Sequence, residues 1–173
     1  MSKDERPLIT GLFPDRDSAE KGYTSLSNRG YTAKDVNLVM SEDTKKRHFT
    51  DAGTETELGN KATEGAGVGG AIGGTVGAIA AAVAAVGSNL VIPGLGLVIA
   101  GPLAAALAGA GAGAATGGVV GAFVGWNMPE ERVKTYGEAI KKGGIVMGVR
   151  PRNDEDAAYV QRAWKDSKAQ NIY

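Results

Sequence analysis

The sequence predicts an α+β fold, and three observations predict it. Short β-type runs at both ends of the chain alternate with segments of helical apolar spacing. The ends carry essentially all the charge. The middle, residues 65–129, contains no Asp, Glu, Lys, Arg or His. The chain therefore divides into an N-terminal half-domain (1–40), a polar linker (41–64), an uncharged insert (65–126) and a C-terminal half-domain (127–173). Combined, the two ends run strand, helix, strand, then strand, helix, short strand. That is the order of a ferredoxin-like split βαβ domain, here with one additional helix before the third strand.

Each element has a local reason. LITGLF, Leu8 to Phe13, is a β-type run stopped by Pro14 and Asp15. Asp17 or Ser18 is expected to cap the following helix, with Asp17 and Glu20 in capping-box spacing, Ala19, Tyr23 and Leu26 on its apolar stripe, and Asn28, Arg29 and Gly30 ending it. DVNLVM, Asp35 to Met40, alternates as a strand. Beyond the insert, Asn127 or Pro129 opens a helix with Val133, Tyr136 and Ile140 inward, which Gly143 and Gly144 stop. IVMGVR, Ile145 to Arg150, is a strand. Asn153 or Asp154 then caps a helix with Ala157, Val160 and Trp164 inward, and Asn171 to Tyr173 form a last short strand.

Within the insert, SNLVIPGLG (88–96) holds Pro93, Gly94 and Gly96 and reads as a turn between two helices, about 65–87 and about 97–126. Both helices carry glycine at every fourth position: Gly65, Gly69, Gly73 and Gly77 in the first, Gly109, Gly113, Gly117, Gly121 and Gly125 in the second. Five such glycines cost about 5 kcal/mol of helix propensity relative to alanine. A bare helix face repays that cost when another helix backbone packs closely on it, as small residues do between helices in lipid. The expected object is a glycine-zipper α-helical hairpin in which Gly69, Gly73, Gly77, Gly113, Gly117 and Gly121 form the packing and oligomer surface. A helix of the first segment's length would span about 34 Å against a hydrocarbon core of about 30 Å. Two crossings would leave both half-domains on one side, with Trp126 at the membrane interface. Three readings of the insert stand side by side: a two-pass membrane segment, a soluble self-associating hairpin, and a buried core of a monomer.

Composition limits the chemistry. Lys plus Arg equals Asp plus Glu at 19 each, so no net field recruits nucleic acid. There are no cysteines. The opening MSKDERPLITGLF does not read as a signal peptide. GAGVGG (65–70) fits a dinucleotide-binding pattern in letters only, since KATE rather than a strand precedes it. His48, the single histidine, sits in a polar stretch beside Lys45, Lys46 and Arg47 and reads as a solvated loop residue. Asp15, Asp17 and Glu20, like Asp154, Glu155 and Asp156, are explained as acids at helix starts, and the second group lacks calcium-loop spacing. The sequence thus predicts no catalytic, metal or cofactor residues and a non-enzymatic protein.

Three pieces, GLFPDRDSAEKGYTSLSNRGY, VIPGLGLVIAGPLAAALAGAGAGAATGG and PEERVKTYGEAIKKGGIVMGVRP, give the chain a resemblance to small bacterial general stress proteins of the heat-induced YflT type, in the branch with a glycine-zipper insert. The most specific part is Ile92 to Gly109. The resemblance implies a ferredoxin-like domain split by a hydrophobic hairpin, an association with stress and no transferred catalytic residue. Together these readings lead to two expectations. One is a stress-associated homo-oligomer in the bacterial inner membrane, its α+β domain on the cytoplasmic face. The other is a cytoplasmic, soluble oligomer or binding module that uses the sheet to recognise a ligand or partner.

Overall fold

The computed structural model describes residues 6–49, 78–85, 89–92, 96–109, 123 and 128–173. The fold is α+β. Its strands are β1 (Ile9–Phe13), β2 (Val36–Ser41), β3 (Asn89–Ile92), β4 (Leu97–Ala100) and β5 (Ile145–Val149). Its helices are α1 (Arg16–Asn28), α2 (Glu42–Phe49), α3 (Ala78–Ala85), α4 (Pro102–Gly109), α5 (Glu130–Lys141) and α6 (Asp154–Asp166).

The strands form one antiparallel sheet in the order β1-β5-β2-β4-β3. Ile9 and Val36 both face Val149, so β1 and β2 run parallel to each other with β5 antiparallel between them. The chain's end lies along the outer side of β1: Thr10 exchanges backbone hydrogen bonds with Tyr173, and Leu12 with Gln170. The short terminal strand expected at 171–173 is thus a pair of β-type contacts at Gln170 and Tyr173.

Both faces of the sheet are covered. Alternate strand residues Ile9, Phe13, Val36, Leu38, Met40, Val98, Ala100, Ile145, Met147 and Val149 pack beneath α1, α3 and α6. The intervening Leu12, Val39, Leu97, Ile99 and Val146 pack beneath α4 and α5. A sheet buried on both sides needs apolar residues at consecutive positions rather than at every other one. ITGLF, LVIA and IVMGV satisfy that need. On the first face Trp164 lies so close over Gly11 that a Cβ there would sit 2.8 Å from its ring. Trp164 also meets Phe13 edge-on at 5.5 Å.

Four expectations are corrected. The cap of α1 is Asp15, not Asp17 or Ser18: its backbone is extended and its carboxylate accepts the Ser18 N–H at 2.8 Å. The segment read as a polar linker begins with α2, whose N–H at Thr44 is accepted by the Ser41 hydroxyl at 3.0 Å; His48 is exposed on this helix rather than in a loop. Residues 89–92 and 97–100, read as turn and helix, are strands, because LVIA completes the edge of β2 through pairs Leu38↔Ala100 to Ser41↔Leu97. The α-helical hairpin is accordingly replaced over 78–109 by the sequence α3-β3-β4-α4, with its two helices on opposite faces of the sheet. Among the described residues no helix is long and apolar enough to cross a membrane.

Candidate functional site: the seat of the uncharged segment

The segment 78–109 has no charge of its own, and two side chains of the N-terminal half-domain hydrogen-bond to it. They do so at the starts of α3 and α4, where backbone N–H groups lack intrahelical partners.

Glu20, on α1, reaches the start of α3 and accepts the Ile79 N–H at 3.1 Å. Burial of the carboxyl raises its pKa, and the hydrogen bonds from Ile79 and Ala78 only partly offset this. Ile79, Ala82 and Val83 of α3 then close over the same core as Tyr23 and Leu26 of α1.

Asn37, at a buried position of β2, accepts the Leu103 N–H at the start of α4 at 2.7 Å. Its amide leans toward the Gly148 carbonyl of β5 at 3.5 Å. One strand residue thereby links the central strand to the helix after β4. Between β4 and α4 the chain turns at Gly101, whose φ is +99° and whose imagined Cβ would lie 2.2 Å from the Val36 carbonyl oxygen. Only glycine fits that approach. At the other end of β4, Glu42 N–H donates to the Gly96 carbonyl at 2.6 Å, fixing the β3–β4 turn against the start of α2.

Phe123 is fully buried on the α4/α5 face and lies 5.9 Å from the Tyr136 ring. The Tyr136 hydroxyl donates to the Asn171 carbonyl at 2.7 Å and accepts from the Thr10 hydroxyl at 3.0 Å, and burial pushes its pKa up to about 12.

A second polar cluster joins α1 to α6. Asp156, 1% exposed, accepts from Arg29 Nε at 2.8 Å, Arg152 Nε at 2.6 Å and the Tyr31 hydroxyl at 2.9 Å. Burial pushes this carboxyl up, but the bonds from Arg152, Arg29 and Tyr31 outweigh it and hold the pKa at about 2. The Arg152 guanidinium lies over the Tyr31 ring and that of Arg29 over Tyr159. Both carboxylate oxygens of Asp156 accept hydrogen bonds from within the chain, so the cluster is a clasp between α1 and α6.

A small cleft of about 190 Å³ is lined by Asp15, Asp17, Ser18, Lys21, Asp166, Ser167 and Lys168. Asp15 in it is committed to capping α1. Among the described residues no group of three His, Cys, Asp or Glu side chains converges on a metal position.

Of the residues singled out from sequence, Gly109 is the last residue of α4 and Gly96, with φ +60°, precedes β4 in the turn of a β-hairpin. Gly65, Gly69, Gly73, Gly77, Pro93, Gly94, Gly113, Gly117, Gly121, Gly125 and Trp126 lie outside the described residues, as does the GAGVGG run. Sequence reasoning missed Asn37 and the buried role of Asp156. A polar residue within VNLVM and an Arg four positions before an Asp in a helix's first turn were the available signals. No family model, curated protein or solved structure matches the chain.

Proposed function

We propose that this chain is a non-enzymatic, stress-associated self-assembly module. Its body is a ferredoxin-like split βαβ domain whose uncharged segment is built into the sheet, and its glycine ladders join one copy to another. The strand arrangement supports the ferredoxin-like part: β5 lies between parallel β1 and β2, and the chain's end lies outside β1. The stress association comes from the resemblance alone.

The observation that carries the assembly reading is the seating of α3 and α4 on opposite faces of one sheet. The first ladder runs into α3 at Ala78 and the second starts at Gly109 of α4, so the two are rooted on opposite sides of the domain. At those roots they are not neighbouring arms of one hairpin. Glycine faces rooted apart in this way would gain close backbone packing from the ladders of a second copy.

The same anchoring favours a soluble assembly over a two-pass membrane protein. Phe49 and Ala78 both belong to the domain, as do Gly109 and Phe123, so any crossing must be made out and back within each interval. Residues 110–122, at about 1.5 Å per helical residue, reach about 20 Å, short of a hydrocarbon core of about 30 Å.

Native mass measurement of the protein purified without detergent tests the proposal, with Gly73→Leu and Gly117→Leu in the ladders and Ala105→Leu at an exposed position of α4 as control. The expected result is an oligomer that both ladder variants shift toward monomer and the control does not. A monomeric parent protein, or equal effects from all three changes, overturns it. Retention in the membrane pellet after a carbonate wash overturns it in favour of the bilayer-inserted arrangement.

A further inference from the structure

We infer that β3 is a second self-association site, at which two copies pair edge to edge around Val91 and continue their sheets into one. The inference extends the self-assembly reading and rests on it for the choice of a second copy as occupant. It uses a surface separate from the ladders.

Among the described residues β3 is the terminal strand on its side of the sheet, whereas on the other side the outer edge of β1 is bonded by Gln170 and Tyr173. Helices cover both faces, and among the described residues no strand pairs with the outer edge of β3. Backbone direction along that edge follows from the pairing. Gly96 accepts from Glu42 on the β2 side, and antiparallel pairing alternates, so Leu97 and Ile99 turn their N–H and C=O groups toward β3. Their opposite numbers, Ile92 and Leu90, are then the residues bonded to β4. Asn89 and Val91 direct their N–H and C=O groups outward.

Val91 is also one of two large hydrophobic residues exposed among those described, at 40%. Natural sheet edges are ordinarily protected by charge, and here residues 65–129 contain none. A second β3 meets this edge without like-charge repulsion, and it brings the same outward N–H and C=O. A two-fold axis through an antiparallel pair must place one residue opposite its own copy, because cross-strand neighbours share a sheet face. With Val91 on the axis, its N–H and C=O bond those of the other copy's Val91, and the two exposed side chains cover each other. A charged partner strand gains nothing comparable from this edge.

The chain has no cysteine, so a single introduced thiol reports the geometry. Directly opposed bonded residues have Cα atoms about 5.5 Å apart, within disulfide range. Val91→Cys is expected to give a disulfide-linked dimer on mild oxidation, whereas Leu90→Cys, displaced from the axis, is not. Val91→Lys puts two like charges on the axis and is expected to weaken the dimer about tenfold while leaving the urea midpoint of the domain unchanged. The same thiol is read in the Gly117→Leu background. Linkage at 91 there, with larger assemblies lost, supports both interfaces. Oligomers by native mass with no linkage at 91, or equal linkage at 90 and 91, overturn the edge pairing and leave the ladder reading standing. A monomer in every background overturns both.

Discussion

Replacing Asp156 by Asn keeps the shape of a buried side chain and removes its charge. The carboxylate sits at a pKa of about 2 in the folded protein, against about 3.9 for an unperturbed aspartate, so its ionised form is favoured by about 2–3 kcal/mol through Arg152, Arg29 and Tyr31. The figure is not raised further for loss of buried pairing, because the Arg29 and Arg152 side chains are 31% and 43% exposed and regain water when the acid is gone. Asp156→Asn is therefore expected to cost about 2–3 kcal/mol at pH 7. In a chain of this size that lowers the melting temperature by about 5–10 °C. The sign of the pH dependence is fixed by the direction of the shift. A depressed carboxylate stabilises the fold above its unfolded pKa and loses that contribution as pH falls through the folded value. Urea unfolding of both proteins between pH 7 and pH 2 should show a gap that is constant down to about pH 4 and closes toward pH 2. A cost below about 0.5 kcal/mol at pH 7, or a gap that persists undiminished at pH 2, refutes the assignment of Asp156 as the charged centre of the clasp.

Two further outcomes concern the seat of the uncharged segment. Gly101→Ala places a methyl group against the Val36 carbonyl oxygen at a φ of +99°, and is expected to cost about 3 kcal/mol or more in urea unfolding, with amide protection lost in β4. Asn37→Leu leaves the Leu103 N–H buried without its acceptor, for a loss of about 1–3 kcal/mol by the same measurement; an unchanged midpoint means that the bond contributes nothing net.

The charged ends of the chain were legible because each element there is decided locally. Gly30 and Gly143 stop α1 and α5 at positive φ, Asn153 accepts the Asp156 N–H to start α6, and Val133, Tyr136 and Ile140 face inward as their spacing required. The middle was misread at LVIA for an equally physical reason. A short apolar run serves as a buried strand or as part of a buried helix, and periodicity does not separate the two. What decides it is the vacant edge of β2, which lies about sixty residues earlier in the sequence and cannot be seen from composition. Of the uncharged stretch, α3 and α4 pack on the two faces of the sheet, an apolar environment that composition alone does not tell from a bilayer. Asn37 shows the limit at the level of one side chain: its importance comes from Leu103, a residue brought to it only by the turn at Gly101.

The place of β5 between β1 and β2 bears on how this protein is made. During synthesis the first two strands leave the ribosome long before the one that joins them, and at about 5–20 residues per second the strand beginning at Ile145 follows Ser41 by several seconds. Throughout that interval β1 and β2 have no shared neighbour, and the uncharged stretch that follows β2 emerges before the sheet it packs on is complete. A protein arranged this way cannot complete its sheet until β5 has been made, and its exposure to chaperones before then follows from the order of its strands.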